Sequence, residues 1–250
     1  MLKEERHRII LREVNLHNKV LTTDLSDQLV VSEDTIRRDL IELADQGMVL
    51  KVHGGAMSKT FYYPFNGQNQ VYALEAKQVI ADKVTGLLKD DMVVLMEGGT
   101  TIMEIAKKIP EGLKATFFTV SPQVAITLAE HEEIEVITIG GRLEKNANIH
   151  TGASLINELS SLKVDLSIIG TNGISVKDGV TDSDWEVVQV MKAILRVAKK
   201  TAVVTIAEKL DTTQKIRIAD LNSFDYIITE LPAESMVLMS YREVGRPVVL

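Results

Sequence analysis

Two adjacent arginines, Arg37 and Arg38, stand in the stretch VVSEDTIRRDL, residues 30–40, with Ser32 and Thr35 beside them. A guanidinium fork pairs bidentately with guanine O6/N7 or clamps a phosphate oxygen. The same pair also suits an ordinary solvated helix face. A second candidate is EGGTT, residues 97–101. Gly98, Gly99, Thr100 and Thr101 precede a helical pattern, so backbone N–H groups and hydroxyls point where an anion would sit. Glycines there also serve any tight strand-to-helix turn. Glu97, Glu208 and Lys209 have the types needed for an acid, a base and an electrostatic partner in aldose–ketose isomerisation. Polar strand ends or hydrogen bonds to a ligand explain them equally well. His7, His17, His53, His131 and His150 include no pair at i, i+3 or i, i+4, so no metal site is expected. Neither a P-loop nor a G-x-G-x-x-G fingerprint occurs, which disfavours a nucleotide.

The elements that must position these residues follow from hydrophobic spacing. Residues 2–15 read as a helix with Ile9, Ile10 and Val14 near one face. TTDLSDQL predicts a second helix, capped by Thr22 or Thr23, with Leu25 and Leu29 at i, i+4. After a turn of about three residues, Ser32 is the expected N-cap of a third helix. Glu33 and Asp34 lie in its first turn, where the helix dipole favours acids, and Gly47 suits its end. Ile36, Leu40 and Leu43 must face a core. At 100° per residue, Arg37 lies about 100° from Ile36, Arg38 about 200° and Thr35 about 260°. GMVLKVHGGAM then predicts a short hairpin, or wing, carrying Lys51 and His53. Together these form a helix-turn-helix that would place residues 32–46 in a DNA major groove.

Bulk properties constrain that reading. The 250 residues are 45% hydrophobic and 25% charged, with net charge −7, the range of a globular protein. Residues 1–60 hold nine Lys and Arg against ten Asp and Glu, so any DNA contact must come from a few well-placed cations. The absence of cysteine excludes disulfides, thiolate metal sites and thiol catalysis. No apolar run approaches the roughly 18–20 residues of a membrane span, and the N-terminus lacks a signal-peptide apolar core. A cytoplasmic protein with no membrane partner is expected.

Residues 58–74 are expected to be a linker, with aromatic rings at Phe61, Tyr62, Tyr63 and Phe65 around Pro64 and a turn at Asn66-Gly67. The rings suit packing on a neighbouring domain or subunit better than base stacking, because Lys59 is the sole basic residue among them. The boundaries are therefore 1–57 for the DNA-reading domain and 75–250 for a second domain. In that second domain, strand-like runs at 92–96, 115–120, 134–139, 164–169, 201–206 and 225–229 alternate with helical patterns at 101–109, 122–131, 153–161 and 184–199. Alternation of this kind predicts a Rossmann-like α/β domain with a mostly parallel sheet. Ligands of such sheets bind outside the carboxyl ends of strands. Here those ends carry EGGTT, SPQ, GGR, GTNG and AEK, which suit a small polyol or a phosphate. Trp185, at a helix start, is expected to pack in a core or an interface.

The run VSEDTIRRDLIELADQGMVLKVHGGA, Val31–Ala56, resembles the signature of the DeoR family of bacterial transcription regulators. The resemblance implies a winged helix-turn-helix with Thr35, Arg37 and Arg38 on the recognition helix. It continues more loosely through EAKQVIADKV, GGTT, IGGRL, TNGI and DGVTD. It implies a sugar-phosphate sensor domain, similar in fold to ribose-phosphate isomerases, whose effector site is lined or shaped by Lys77, Gly98–Thr101, Gly141, Gly152, Asn172 and Gly173. Three positions depart from the family pattern: Glu97 stands where Asp is frequent, TVSPQ lacks the usual asparagine, and AEKLD replaces D-S-S-K. Lys209 is thus the match to the phosphate-binding lysine. The expected protein is a DNA-binding transcription regulator, a repressor of carbohydrate-metabolism genes. Its partners would be double-stranded operator DNA and a phosphorylated sugar effector, with no cofactor, and it would act as a homodimer or homotetramer. The alternative is a sugar-phosphate isomerase-like enzyme with a DNA-binding extension.

Overall fold

The computed structural model describes residues 1–58, 71–145 and 147–250. The chain divides into two compact units, Met1–Tyr72 and Ala73–Leu250. The expected linker rings at Phe61–Phe65 lie outside the described residues. At its flanks, Ser58 donates its N–H to the Asn18 carbonyl at 2.8 Å, and the next helix begins at Leu74.

The first unit runs α1 (Lys3–His17), β1 (Lys19–Leu21), α2 (Thr22–Leu29), α3 (Glu33–Asp45), β2 (Leu50–Val52) and β3 (Gly55–Met57). Ile10, Val14, Leu25, Ile36, Leu40 and Leu43 are all buried and form its core. Ser32 caps α3 as expected, accepting the Thr35 N–H at 3.3 Å, a contact worth about 1 kcal/mol at a helix start. Gly47, at φ +73°, closes the helix: its N–H reaches Ala44 O at 2.8 Å, and Met48 N–H reaches Leu43 O at 2.9 Å. Neither expected cap of α2 operates. The helix starts at Thr22 itself, Leu21 occupies the cap position without a side-chain bond, and Thr22 is buried. Its N–H donates instead to Gly54 O of the wing turn at 2.8 Å. The cause is β1, a three-residue strand too short to show alternation, which delivers the chain straight into α2.

The wing is the expected hairpin, with β3 paired to both β2 and β1. A Cβ at Gly55 would lie 1.9 Å from Val20 O, so only glycine lets these strands approach.

The second unit opens with α4 (Leu74–Thr85). It continues through β4 (Val93–Met96), α5 (Thr100–Lys107), β5 (Thr116–Thr119), α6 (Pro122–Leu128) and β6 (Glu135–Thr138). A hairpin follows, β7 (Arg142–Glu144) and β8 (Ile149–Thr151), then α7 (Ala153–Ser160) and β9 (Val164–Ile169). The rest is β10 (Gly173–Ser175), β11 (Gly179–Asp182), α8 (Trp185–Val197), β12 (Ala198–Val204), β13 (Ile216–Ala219), β14 (Tyr226–Ile228), α9 (Met239–Arg242) and β15 (Val248–Val249).

Seven strands form one sheet in the order β15-β14-β12-β9-β4-β5-β6, and every pairing in it is parallel. Its central strands are apolar because both faces are covered: Val94, Leu95, Met96, Ile168, Ile169 and Val203 are fully buried. All strand ends therefore point the same way, and the turns after them share one edge. A small antiparallel sheet, β10-β11-β13, stands beside it. Trp185 is not a core residue. It begins α8 with 62% of its surface exposed, because the inward positions of that helix are taken by Val187, Val188, Val190, Met191 and Ile194.

Candidate functional sites

Helix α3 presents its two arginines differently. Arg37 is tied within its own helix, with Nη2 on Glu33 Oε2 at 2.7 Å and Nη1 on Asp34 Oδ1 at 3.0 Å. Arg38 is exposed and makes no hydrogen bond or ion pair among the described residues. The Ser32 and Thr35 hydroxyls lie 2.9 Å apart at the start of the helix. Lys51 and His53 are both exposed on the wing. A cleft of about 310 Å³ separates helix from wing, lined by Arg37, Leu40, Lys51 and His53 among others.

Besides its apolar core contacts, α3 is tied to α1 through a buried charge. Asp39 is 3% exposed. Arg6 of α1 grips it bidentately, Nε to Oδ2 at 2.5 Å and Nη2 to Oδ1 at 3.0 Å, and His7 Nε2 lies 3.0 Å from Oδ1. Burial alone would raise the Asp39 pKa, but the hydrogen bonds from Arg6 and His7 outweigh it and hold the carboxyl below its ordinary range. Arg6 in turn is raised, chiefly by its bond to Asp39. The sequence contained a signal for this clamp: Asp39 is three residues after Ile36 and four before Leu43, an acid on the core-facing side.

In the second unit, β4 and β9 are neighbours at the sheet centre. The chain spreads from β4 through β5 and β6 on one side, and from β9 through β12, β14 and β15 on the other. That reversal opens a crevice at the carboxyl ends of β4 and β9, and Glu97 spans it. Its N–H donates to Ile168 O at 3.1 Å, and its Oε2 accepts the Gly170 N–H at 2.9 Å. Lys209, in the turn after β12, donates to Thr171 O at 2.8 Å and lies 3.5 Å from Asn172 Oδ1. Asn172 Nδ2 donates to Asp182 Oδ2 at 2.8 Å, and Asp182 Oδ1 accepts the N–H groups of Ser183 and Asp184 at 2.7 and 2.9 Å.

Lys77 of α4 is 6% exposed and feels the charge of Lys209. Burial, with that repulsion, lowers Lys77 to about 7, against the pull of Glu104 and Glu208. Burial likewise lowers Lys209 to about 8, opposed by Asp182 and Glu97. It raises Glu97 to about 8, opposed by the Gly170 N–H, and raises Asp182 as well. A buried lysine, two buried carboxyl groups and the half-buried Lys209, all with shifted pKa values at the sheet's carboxyl edge, have the marks of a ligand site.

Two family models match the chain: a DeoR-like helix-turn-helix domain over residues 6–60 and a DeoR C-terminal sensor domain over residues 73–231. The chain belongs to the DeoR family. It is 34% identical over 232 residues to the HTH-type transcriptional regulator GlpR of Haloferax volcanii, covering 92% of this chain and 91% of that one. It is 33% identical over 233 residues to the HTH-type transcriptional repressor GlcR of Bacillus subtilis, covering 92% and 89%. The glycerol-3-phosphate regulon repressor of Escherichia coli is 27% identical over 240 residues, covering 95% of each chain.

In this DeoR-family chain, Lys77, Glu97, Asn172 and Lys209 fall into one cluster. Gly98 is close to it in sequence, and a Cβ there would lie 2.5 Å from Ile149 Cγ2 and 3.3 Å from Ser121 Cβ. Gly99 and Gly152 occupy the cap positions of α5 and α7 at φ +97° and +111°, a region closed to other residues. Thr100 and Thr101 open α5 and are half-buried. Gly141 and Gly173 are set by packing: their Cβ atoms would meet Thr151 O at 2.7 Å and Thr181 Oγ1 at 2.9 Å. Sequence reasoning passed over Thr171 and Asp182 as site residues. Asp182 ends β11, and the small sheet brings it to Asn172. Among the described residues no helix is long and apolar enough to cross a membrane.

Proposed function

We propose that this DeoR-family regulator represses genes of carbohydrate or polyol use, and that a phosphorylated form of the compound lowers its affinity for the operator. One observation carries the effector half: Lys77, Glu97, Asp182 and Lys209 come from four separate segments into electrostatic reach of one another near the switch point of the sheet, the first three of them buried. Two lysines suit the phosphate, and two carboxylates with Asn172 suit hydroxyl groups. An ordinary structural core has little use for a buried ammonium group such as that of Lys77, whose desolvation costs several kcal/mol. The names of the B. subtilis and E. coli relatives support the repressor half. The same family membership supports a sensor rather than an enzyme, with Glu97, Glu208 and Lys209 binding rather than turning over the ligand. The chain would work in the cytoplasm as a homodimer or homotetramer, since a two-fold assembly offers two recognition helices to a palindromic operator.

Transmission requires a coupling free energy between the two sites of ~1–3 kcal/mol, or about 5- to 150-fold in affinity. Fluorescence anisotropy of the full-length protein on its own upstream DNA, with a panel of sugar and polyol phosphates, tests the reading. One compound should weaken binding by a factor in that range. A protein that binds the duplex equally well with every phosphate in the panel would overturn the effector half.

A further inference from the structure

The two arginines of α3 differ in surroundings, and the difference divides their work. At 100° per residue, Leu40 lies about 40° from Ile36 and Arg37 about 100°. Both line the cleft, so the wing stands along that flank of the helix. Across it stand Lys51 and His53. Arg37 spends one N–H of each Nη on Glu33 and Asp34, which fixes its guanidinium and leaves Nε–H and two further donors. Such exposed pairs are weak and yield to a stronger anion. The cleft, at about 310 Å³, has room for a phosphate group and several waters. Arg38 is about 200° from Ile36, away from both core and wing, and among the described residues no partner holds it. It is the cation that meets base edges when the outward face of α3 enters a groove.

We infer that Arg38 reads an operator base, whereas Arg37, with Lys51 and His53, forms a phosphate clamp in the cleft between recognition helix and wing. The inference rests on the DNA-reading half of the proposed function. A phosphate needs only charge and donors, so an ammonium substitutes for the fork there. Bidentate reading of a base does not tolerate that exchange.

The test begins by selecting a preferred duplex from a random library with the full-length wild-type protein. Affinities for that duplex and for a scrambled one are then measured across a salt series for Arg37→Ala, Arg37→Lys, Arg38→Ala and Arg38→Lys. Arg38→Ala and Arg38→Lys should both cut the preferred-to-scrambled ratio by about 10- to 100-fold. Arg37→Ala should weaken both duplexes by a similar factor and lower the salt slope by about 1, and Arg37→Lys should restore wild-type behaviour. Equal loss on both duplexes for the Arg38 variants, or lost discrimination for Arg37→Lys, overturns the division of labour. Unchanged melting temperatures separate these outcomes from misfolding. If the wild type enriches no duplex at all, the DNA-reading proposal itself fails, and this one with it.

Discussion

Replacing Asp39 by Asn tests whether the buried clamp holds the recognition helix. The carboxylate is 3% exposed and receives two N–H bonds from Arg6 and a contact from His7. Breaking a fully buried ion pair by removing one partner costs about 3–5 kcal/mol. Arg6 keeps 11% of its side-chain surface exposed, and an amide oxygen still accepts one of its bonds, so the expected cost is nearer ~2–3 kcal/mol. Because 1.4 kcal/mol is a factor of ten, amides of α3 such as Leu40 and Leu43 should exchange about 30- to 150-fold faster in the variant. Hydrogen exchange resolved by residue on the full-length chain reads this directly, and amides of the seven-stranded sheet serve as the control. The pH dependence has a definite sign. The folded carboxyl is held below its ordinary range. The stability it supplies is therefore complete above about pH 4, the unfolded value, and fades as pH falls through the lower folded value. Wild-type α3 should lose protection in that acid window, while Asp39→Asn should lack this dependence. Exchange in the variant within about threefold of wild type would refute the clamp as the anchor of α3.

Other outcomes follow from the second unit. Lysines lowered to about 7 and 8 must be protonated to hold an anion. Effector affinity, measured by calorimetry, should therefore fall as pH rises from about 7 to 9, with proton uptake on binding; affinity flat across that range would remove both lysines from the site. Lys77→Met, which keeps an apolar stem and deletes the charge, should leave the fold intact and shrink the effector-induced rise in melting temperature to less than about a third; a full rise would exclude Lys77. Ser167 Oγ is, among the described residues, the one buried side-chain oxygen without a hydrogen-bond partner. Ser167→Ala should be neutral or stabilising by up to ~1 kcal/mol, a rise of no more than about 4 °C, and clear destabilisation would reveal a bond to a trapped water.

Elements with a long hydrophobic period were legible from residue order. Strand β9 matches the expected run at 164–169, and α3 starts at its expected cap. Several elements of two or three residues were not, although the wing strands and β14 were. β1, β7, β8, β10 and β15 are too short to display a period of two, and partners distant in the chain create them. The α2 cap failed for that reason: the carbonyl satisfying its first N–H belongs to Gly54, thirty-odd residues downstream. Asp39 and Asp182 were missed because burial, not residue type, distinguishes a structural or ligand-facing acid from a solvated one. Of the two roles expected for Trp185, the core is excluded, because five apolar neighbours on α8 already fill the inward face and leave the ring outside.

Local order along the chain therefore determined the helix-turn-helix, its wing, the parallel sheet and the edge that carries the polar turns. All of these depend on periodicity and on turn residues acting over a few positions. Tertiary structure alone decided which charges are held and which are free. Whether Arg37 faces the wing, whether Lys77 reaches Lys209, and whether Asp39 is gripped by Arg6 depend on contacts between segments remote in sequence. Electrostatics depends on distance and burial in space, neither of which residue order encodes locally.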